Sequence, residues 1–235
     1  MNELGLPTAS SGRCCPDSPY LNIYGFPEEL DYTDIRPIPE NWFRIDTFCR
    51  SDETNFKLPE KFQNRDKTTE KLIYLSLGSM GSIDVQLMER LIAILSKSSH
   101  KYIVSKGMFG DKYELTDNMW GQKSVPQTEV LPLVDLVITH GGNNTVTEAF
   151  SFGKPMIVLP LFGDQYDNAQ RVHEKGYGIR LEPYNCTEHQ LLEAIEKLLN
   201  DNRLRERLSD AANRISQSKS IIKASELIEK LVEQD

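Results

Sequence analysis

Residues 136–145 read Leu-Val-Ile-Thr-His-Gly-Gly-Asn-Asn-Thr, an apolar run that ends on a histidine and a glycine pair. Such a run, bounded by turn residues, fits a buried strand, Leu136–Thr139. A helical pattern, Asn144–Phe152, begins directly after the glycines. A strand that feeds through a Gly-rich turn onto a helix makes an anion site, because the free N–H groups of the first turn and the positive end of the helix dipole face that turn. Glycine lets a phosphate approach the backbone closely, while His140, Asn144 and Thr145 bring side-chain donors. Each residue also has a plainer role: the glycines as a tight turn, Asn144 or Thr145 as a helix cap, His140 as a structural histidine.

The flanking sequence continues the alternation. Leu72–Leu77 is a buried-type strand, Gly78–Ser82 a Gly/Ser turn, and Ile83, Leu87, Leu91 and Leu95 recur at helical spacing. Lys101–Ser105, Gly121–Val125, Met156–Leu159 and Gly178–Leu181 read as further strands, and Gln165–Lys175 as a helix closed by Gly176. Strands alternating with helices imply an α/β fold, a Rossmann-like parallel sheet with helices on both faces and ligands at the carboxyl ends of the strands. Beyond Glu182 the chain is helical: Thr187 caps a helix through Asn200, and two amphipathic segments run on to Leu231.

The first seventy residues are different. They hold seven of the twelve prolines and little sustained periodicity, with Leu21–Phe26 as one strand. Pro27–Asp66 is turns, prolines and charges, the pattern of a surface-running connector with no domain of its own. The division expected is therefore residues 1–70 and residues 71–235.

At 235 residues with 39% apolar side chains, the chain is long and apolar enough for a full core, which excludes a disordered protein. A formal charge of −8 has the wrong sign for a general nucleic-acid binder, so a bound anion must be held locally. Cys14, Cys15, Cys49 and Cys186 are too few and scattered for a disulfide framework or a zinc site and read as reduced thiols. No stretch approaches the ~20 apolar residues that span a bilayer, and Met1–Ser11 lacks a leader pattern, so a soluble, cytoplasmic chain is expected.

Two further elements bear on the 136–145 turn. Glu148 lies one helical turn beyond Asn144, where a carboxylate can accept from paired hydroxyls such as those of a ribose; the plainer reading is a solvated helix charge. Asp164 and Gln165 follow a strand ending at Pro160, which puts them at the same sheet edge as sugar contacts or as a cap for their own helix.

Together these stretches resemble the UDP-glucosyl/glucuronosyl type of glycosyltransferase. The family signature has the form W-x-P-Q, then T-H-x-G-x-N-[SG], a Glu eight residues after the His, and P-x-x-x-D-Q. Here it is matched by Val125-Pro126-Gln127, Thr139-His140-Gly141-Gly142-Asn143-Asn144-Thr145, Glu148 and Pro160-Leu161-Phe162-Gly163-Asp164-Gln165, with Leu72–Met80 similar to the first strand and turn. The resemblance runs from about Leu72 to Leu231, and SPYLNIYGFPEELDY is similar to the end of the family's N-terminal domain and its linker.

The resemblance implies the C-terminal, donor-binding half of a two-domain GT-B fold, with residues 1–70 a remnant of the acceptor domain and linker. Its nucleotide-sugar set would be Ser79, Gln127, His140, Gly142, Asn143, Asn144, Thr145, Glu148, Asp164 and Gln165. His140 and the Asn144/Thr145 region would meet the diphosphate, Glu148 the ribose, Gln127 the nucleoside, Asp164 and Gln165 the sugar, and Ser79 the phosphates or sugar. The implied reaction is inverting hexosyl transfer from a UDP-sugar to a small lipophilic acceptor, without metal, cofactor or nucleic acid. The general base would be a histidine of the N-terminal domain; none of His100, His173 and His189 matches it, so no catalytic residue is expected in this chain, which would bind UDP yet transfer sugar poorly alone. A non-catalytic donor-binding subunit with a separate acceptor-binding partner is the alternative, and an epimerase or phosphorylase fits less well because of the D-Q and P-Q elements. The family's membrane-bound members carry a C-terminal anchor, whereas this chain ends Val232-Glu233-Gln234-Asp235. One position departs from the signature: Ser124 stands where the family has its uracil-stacking Trp, a contact worth about 0.5–1.5 kcal/mol beyond burial.

Overall fold

Two short strands, β1 (Asn22–Gly25) and β2 (Trp42–Ile45), pair in parallel at the start of the chain. After the four-residue α1 (Glu60–Gln63) come β3 (Leu72–Ser76), α2 (Gly78–Gly81), α3 (Val85–Leu95), β4 (Lys101–Ser105), β5 (Met119–Gln122) and α4 (Gln127–Val130). The second half follows as β6 (Leu136–Thr139), α5 (Asn143–Ser151), β7 (Met156–Val158), α6 (Gln165–Glu174) and β8 (Gly178–Arg180). It closes with α7 (Glu188–Leu199), α8 (Asn202–Ser216) and α9 (Ser220–Val232). This is a computed structural model, and it describes residues 17–49 and 55–233.

Strands β3 to β8 form one parallel sheet in the order β5-β4-β3-β6-β7-β8. β3, β6 and β7 are buried at every position, which is why their sequences are unbroken apolar runs rather than alternating ones. The chain builds outward from β3 to β5, then crosses back and places β6 on the other flank of β3. Parallel open sheets bind ligands at such a reversal, where connections leave in opposite directions and a crevice opens. The register pairs Ser76 with Thr139, so the turns that begin at Leu77 and His140 emerge side by side.

The helical C-terminus covers this framework. α7 opens with a reciprocal capping box between Thr187 and Gln190 and lies against β6 and β7, while α8 packs on α5. α9 returns to β2, and Arg214 at the end of α8 pairs with Glu29 at 2.7 Å and with Asp46 at 2.8 Å. Cys186 is a buried free thiol, whereas Cys14 and Cys15 lie outside the described residues. Among the described residues no helix is long and apolar enough to cross a membrane.

Three local expectations shift. The third sheet strand is Met119–Gln122 rather than Gly121–Val125, and the Gly78–Ser82 turn closes into one helical turn. The connector reading of residues 27–66 is corrected more deeply: it contains β2, and Phe26, Leu30 and Phe62 join the same buried cluster as the sheet. A four-residue strand with Arg44 in its middle carries no legible periodicity, and its parallel partner β1 lies some twenty residues away.

A single side chain fastens that segment. Arg171 of α6 is only 2% exposed; it donates to the carbonyls of Leu30 and Asp31, pairs with Asp34, and stacks 4.5 Å from the Tyr32 ring centroid. The same guanidinium holds the Asp34 carboxyl well below the usual range, at about 2. Arg171→Met leaves two buried carbonyls without their donor, each worth roughly 1–3 kcal/mol. Hydrogen exchange should then lose protection at the Asp31 and Ile35 amides while the amides of β3 and β6 keep theirs; retained protection at Asp31 would show that the segment is held by other contacts.

Candidate functional site

Every predicted site residue falls in a turn at, or a helix starting from, the carboxyl edge of the sheet, but their roles separate on inspection. His140 is the centre. Gly78 has a positive φ of 66°, and a β-carbon there would lie 2.7 Å from His140 Cε1; one on Gly142 would lie 2.6 Å from His140 Nε2. The imidazole therefore occupies space that two glycines leave, one from each turn of the crevice. Burial pushes the His140 imidazole below its ordinary pKa, against the nearby Asp164 carboxylate and a hydrogen bond with the Ser76 backbone, which both pull it up. Near pH 7 it is a neutral ring whose single N–H is turned to the Ser76 backbone, and its second nitrogen becomes a donor only on protonation.

The helix that starts beside it is uncapped by side chains. The N-cap of α5 is Gly142, which has no side chain to accept from the first turn, so neither Asn144 nor Thr145 acts as the cap. The first helical bond is Val146 N–H to the Gly142 carbonyl at 3.1 Å, and the N–H groups of Asn143, Asn144 and Thr145 precede it, where an α-helix offers its donors no internal acceptor. Asn144 and Asn143 are exposed, and the Asn143 amide reaches the Gly25 carbonyl at 3.3 Å. These donors and the dipole end are suited to an oxyanion.

Glu148 is not a solvated helix charge: it is 1% exposed, and Gln127 Nε2 donates to its Oε2 at 2.5 Å. Gln127 also donates to the Thr145 hydroxyl at 3.4 Å, so its amide is spent inside the protein on Glu148 and Thr145. Gln165 likewise serves the fold, its side-chain oxygen accepting from the N–H groups of Leu161 and Phe162 at 2.9 and 3.1 Å. Asp164, by contrast, is exposed and caps no helix through its side chain. Asn168 bridges it to the histidine turn, donating to the Gly141 carbonyl at 2.9 Å and to Asp164 at 3.2 Å. That buried residue was missed in the sequence, although its place four residues after Asp164 is the spacing at which helix side chains meet. Ser79 is exposed on the first turn, next to Gly78. Among the described residues no three His, Cys, Asp or Glu side chains are grouped to hold a metal ion.

The family model described as "UDP-glucoronosyl and UDP-glucosyl transferase" matches residues 26–216. The chain belongs to this family. NDP-glycosyltransferase YjiC of Bacillus subtilis is 32% identical over 70% of the chain and 43% of its own length. The sterol 3-beta-glucosyltransferase of Debaryomyces hansenii is 26% identical over 96% of the chain and 15% of its own length. Among solved structures, the glycotransferase of kitacinnamycin superposes with a TM-score of 0.77 at 26% identity, over 90% of this chain and 55% of that one. The chain thus spans less than two thirds of each of these relatives, and its sheet and helices are those of one half of a GT-B glycosyltransferase.

Against this family's signature, Ser124 is exposed, and nearby Trp120 does not replace the missing aromatic: it packs on Phe56 at 5.8 Å between centroids, at the edge of the core. In this UDP-glycosyltransferase domain the depressed His140 pKa has a defined sign. The unfolded state takes up the proton first as pH falls below about 6.5, so the contribution of His140 to stability is present above that pH and lost on acidification through the folded pKa. NMR titration of the His140 ring should give a midpoint below the ordinary value in the free chain and a higher one with UDP bound. A free midpoint at or above 6.5 would contradict the burial assigned to the ring.

Proposed function

We propose that the chain binds the diphosphate and sugar of a UDP-sugar in the crevice between the turns after β3 and β6. The reading extends to inverting transfer of a hexosyl group to the hydroxyl of a small lipophilic acceptor. The observation that carries it is the His140 ring seated between Gly78 and Gly142, beside an α5 N-terminus that no side chain caps. The amides of Asn143, Asn144 and Thr145 supply donors aimed at one turn, and the His140 ring, whose one N–H in the neutral form is turned to Ser76, adds a second N–H when the charge of a bound diphosphate draws a proton onto it; preorganised donors are what a departing diphosphate needs. Glu148, fixed by Gln127, is the acceptor for the ribose hydroxyls, and exposed Asp164 the acceptor for hydroxyls of the sugar.

In the proposed displacement the acceptor oxygen bonds to the anomeric carbon as the bond to the diphosphate oxygen breaks, with inversion at that carbon. UDP leaves with the electron pair, and the acceptor's proton goes to a general base. We place that base in an acceptor-binding domain, of which residues 1–70 are the end and linker, and expect this chain alone to bind donor without efficient turnover. No metal is invoked. The sterol named for the yeast relative supports a lipophilic acceptor.

Calorimetric titration of UDP into the chain, with His140→Ala beside it, tests the reading. A hydrogen bond to a charged group contributes about 1.5–3 kcal/mol, so the variant should bind roughly ten- to a hundredfold more weakly. Absence of UDP binding at millimolar ligand, or unchanged affinity in the variant, would overturn the assignment. With Ser124 exposed in place of an aromatic ring, UDP should be preferred over GDP by less than tenfold in the same titration.

A further inference from the structure

The amino edge of the sheet, opposite the His140 turn, gathers a second set of charged side chains. Lys71 precedes β3, Asp135 precedes β6, Lys154 precedes β7 and Arg205 lies near the start of α8, and the four line one cavity of about 130 Å³. That is below the ~300–1,000 Å³ of sites for drug-sized ligands, which makes a small ion its size class. Lys71 and Lys154 are half-buried, and Arg205 and Asp135 are exposed at the rim.

Among the described residues the three cations bond to neutral groups and none is in an ion pair. Lys71 donates to the Lys67 carbonyl at 2.7 Å and Lys154 to the Pro132 carbonyl at 3.3 Å. Arg205 donates to the Leu199 carbonyl at 2.8 Å and to the Asn202 side-chain oxygen at 3.1 Å. Burial pushes the Lys154 ammonium below its ordinary pKa, while the nearby Asp135 carboxylate pulls it up. A partly desolvated ammonium gains most from an anion that reaches it. Negative charge at the cavity is smaller: Asp135 contributes one unit, and the carboxyl ends of α5 and α7 about half a unit each. The lining keeps about one net positive charge.

Asp135 decides which anion. The Leu72 N–H donates to its Oδ2 at 2.8 Å and fixes the carboxylate at the cavity wall. A carboxylate accepts an O–H and repels an oxyanion that has none. Orthophosphate keeps a proton at neutral pH, whereas sulfate has lost its protons and a phosphate monoester, with a second pKa of about 6, has mostly done so. We infer that this cavity is a site for inorganic orthophosphate, its oxygens on Lys71, Lys154 and Arg205 and its O–H donated to Asp135. An ion there joins the starts of three strands to α8, at the opposite edge of the sheet from the donor crevice, and the inference stands apart from the donor reading.

Inorganic phosphate titrated into the full chain and followed by backbone amide shifts tests the inference, with sulfate and glucose 1-phosphate at matched ionic strength beside it. Saturable shifts at Asp135, Gly153 and Lys154 are expected, weakened roughly tenfold or more in Lys154→Gln and in Arg205→Gln, as loss of a charge-assisted hydrogen bond implies. Sulfate and glucose 1-phosphate should bind at least about tenfold more weakly than phosphate, and Asp135→Asn, whose amide can donate to sulfate, should close that gap. Thermal melts verify that the variants fold, and Arg205, exposed at the rim, is the substitution that leaves the core untouched. Phosphate entering the donor crevice is seen separately at the Gly142–Thr145 amides. Phosphate shifts confined to that turn, sulfate or glucose 1-phosphate bound as tightly as phosphate by the wild-type chain, or undiminished binding in both cation variants overturns the inference.

Discussion

The site depends on the close approach of two glycine turns to one side-chain ring. The turns leaving β3 and β6 meet around one imidazole, and neither Gly78 nor Gly142 has room for a β-carbon. That constraint fixes the distance between two strands' exits, holds His140 at the mouth of the only point where the sheet's connections reverse among the described strands, and leaves the start of α5 open beside it. Strand burial, helix dipole and ring position then act at one place. A side chain at either glycine would have to move the ring or spread the turns, and with them the neighbouring amides.

Around that centre the protein spends several polar side chains on position rather than on display. Gln127 holds Glu148 from within the core, Gln165 closes the turn after β7 on itself, and Asn168 links Asp164 to the backbone of the histidine turn. Buried polar groups that are fully paired rigidify a site, and the low local dielectric strengthens each bond. The residues left facing outward, Ser79, Asn143, Asn144 and Asp164, are few and mostly uncharged, which suits the proposed diphosphate site in a protein of net charge −8.

The sheet was legible in the sequence because its strands are buried on both faces: LIYLS, LVIT and MIV announce themselves as apolar runs closed by turn residues. The positions of His140, Glu148 and Asp164 followed from where those runs end. The partners did not. Gln127 and Glu148 are 21 residues apart, and Arg171 meets the Leu30 carbonyl across 141; such pairings are set by tertiary packing and leave no local pattern. β2 was hidden for the same reason, since WFRI has one core-facing position, Ile45, and gains its strand geometry only from β1 and α9.

The central claim is that one crevice, centred on His140, receives the diphosphate. Backbone amide shifts on adding UDP test it most directly. The account predicts that the largest changes fall at Gly78, Ser79 and the Gly142–Thr145 turn, with the amides of β8 and α9 unmoved; UDP-induced shifts confined to other regions of the chain would contradict it.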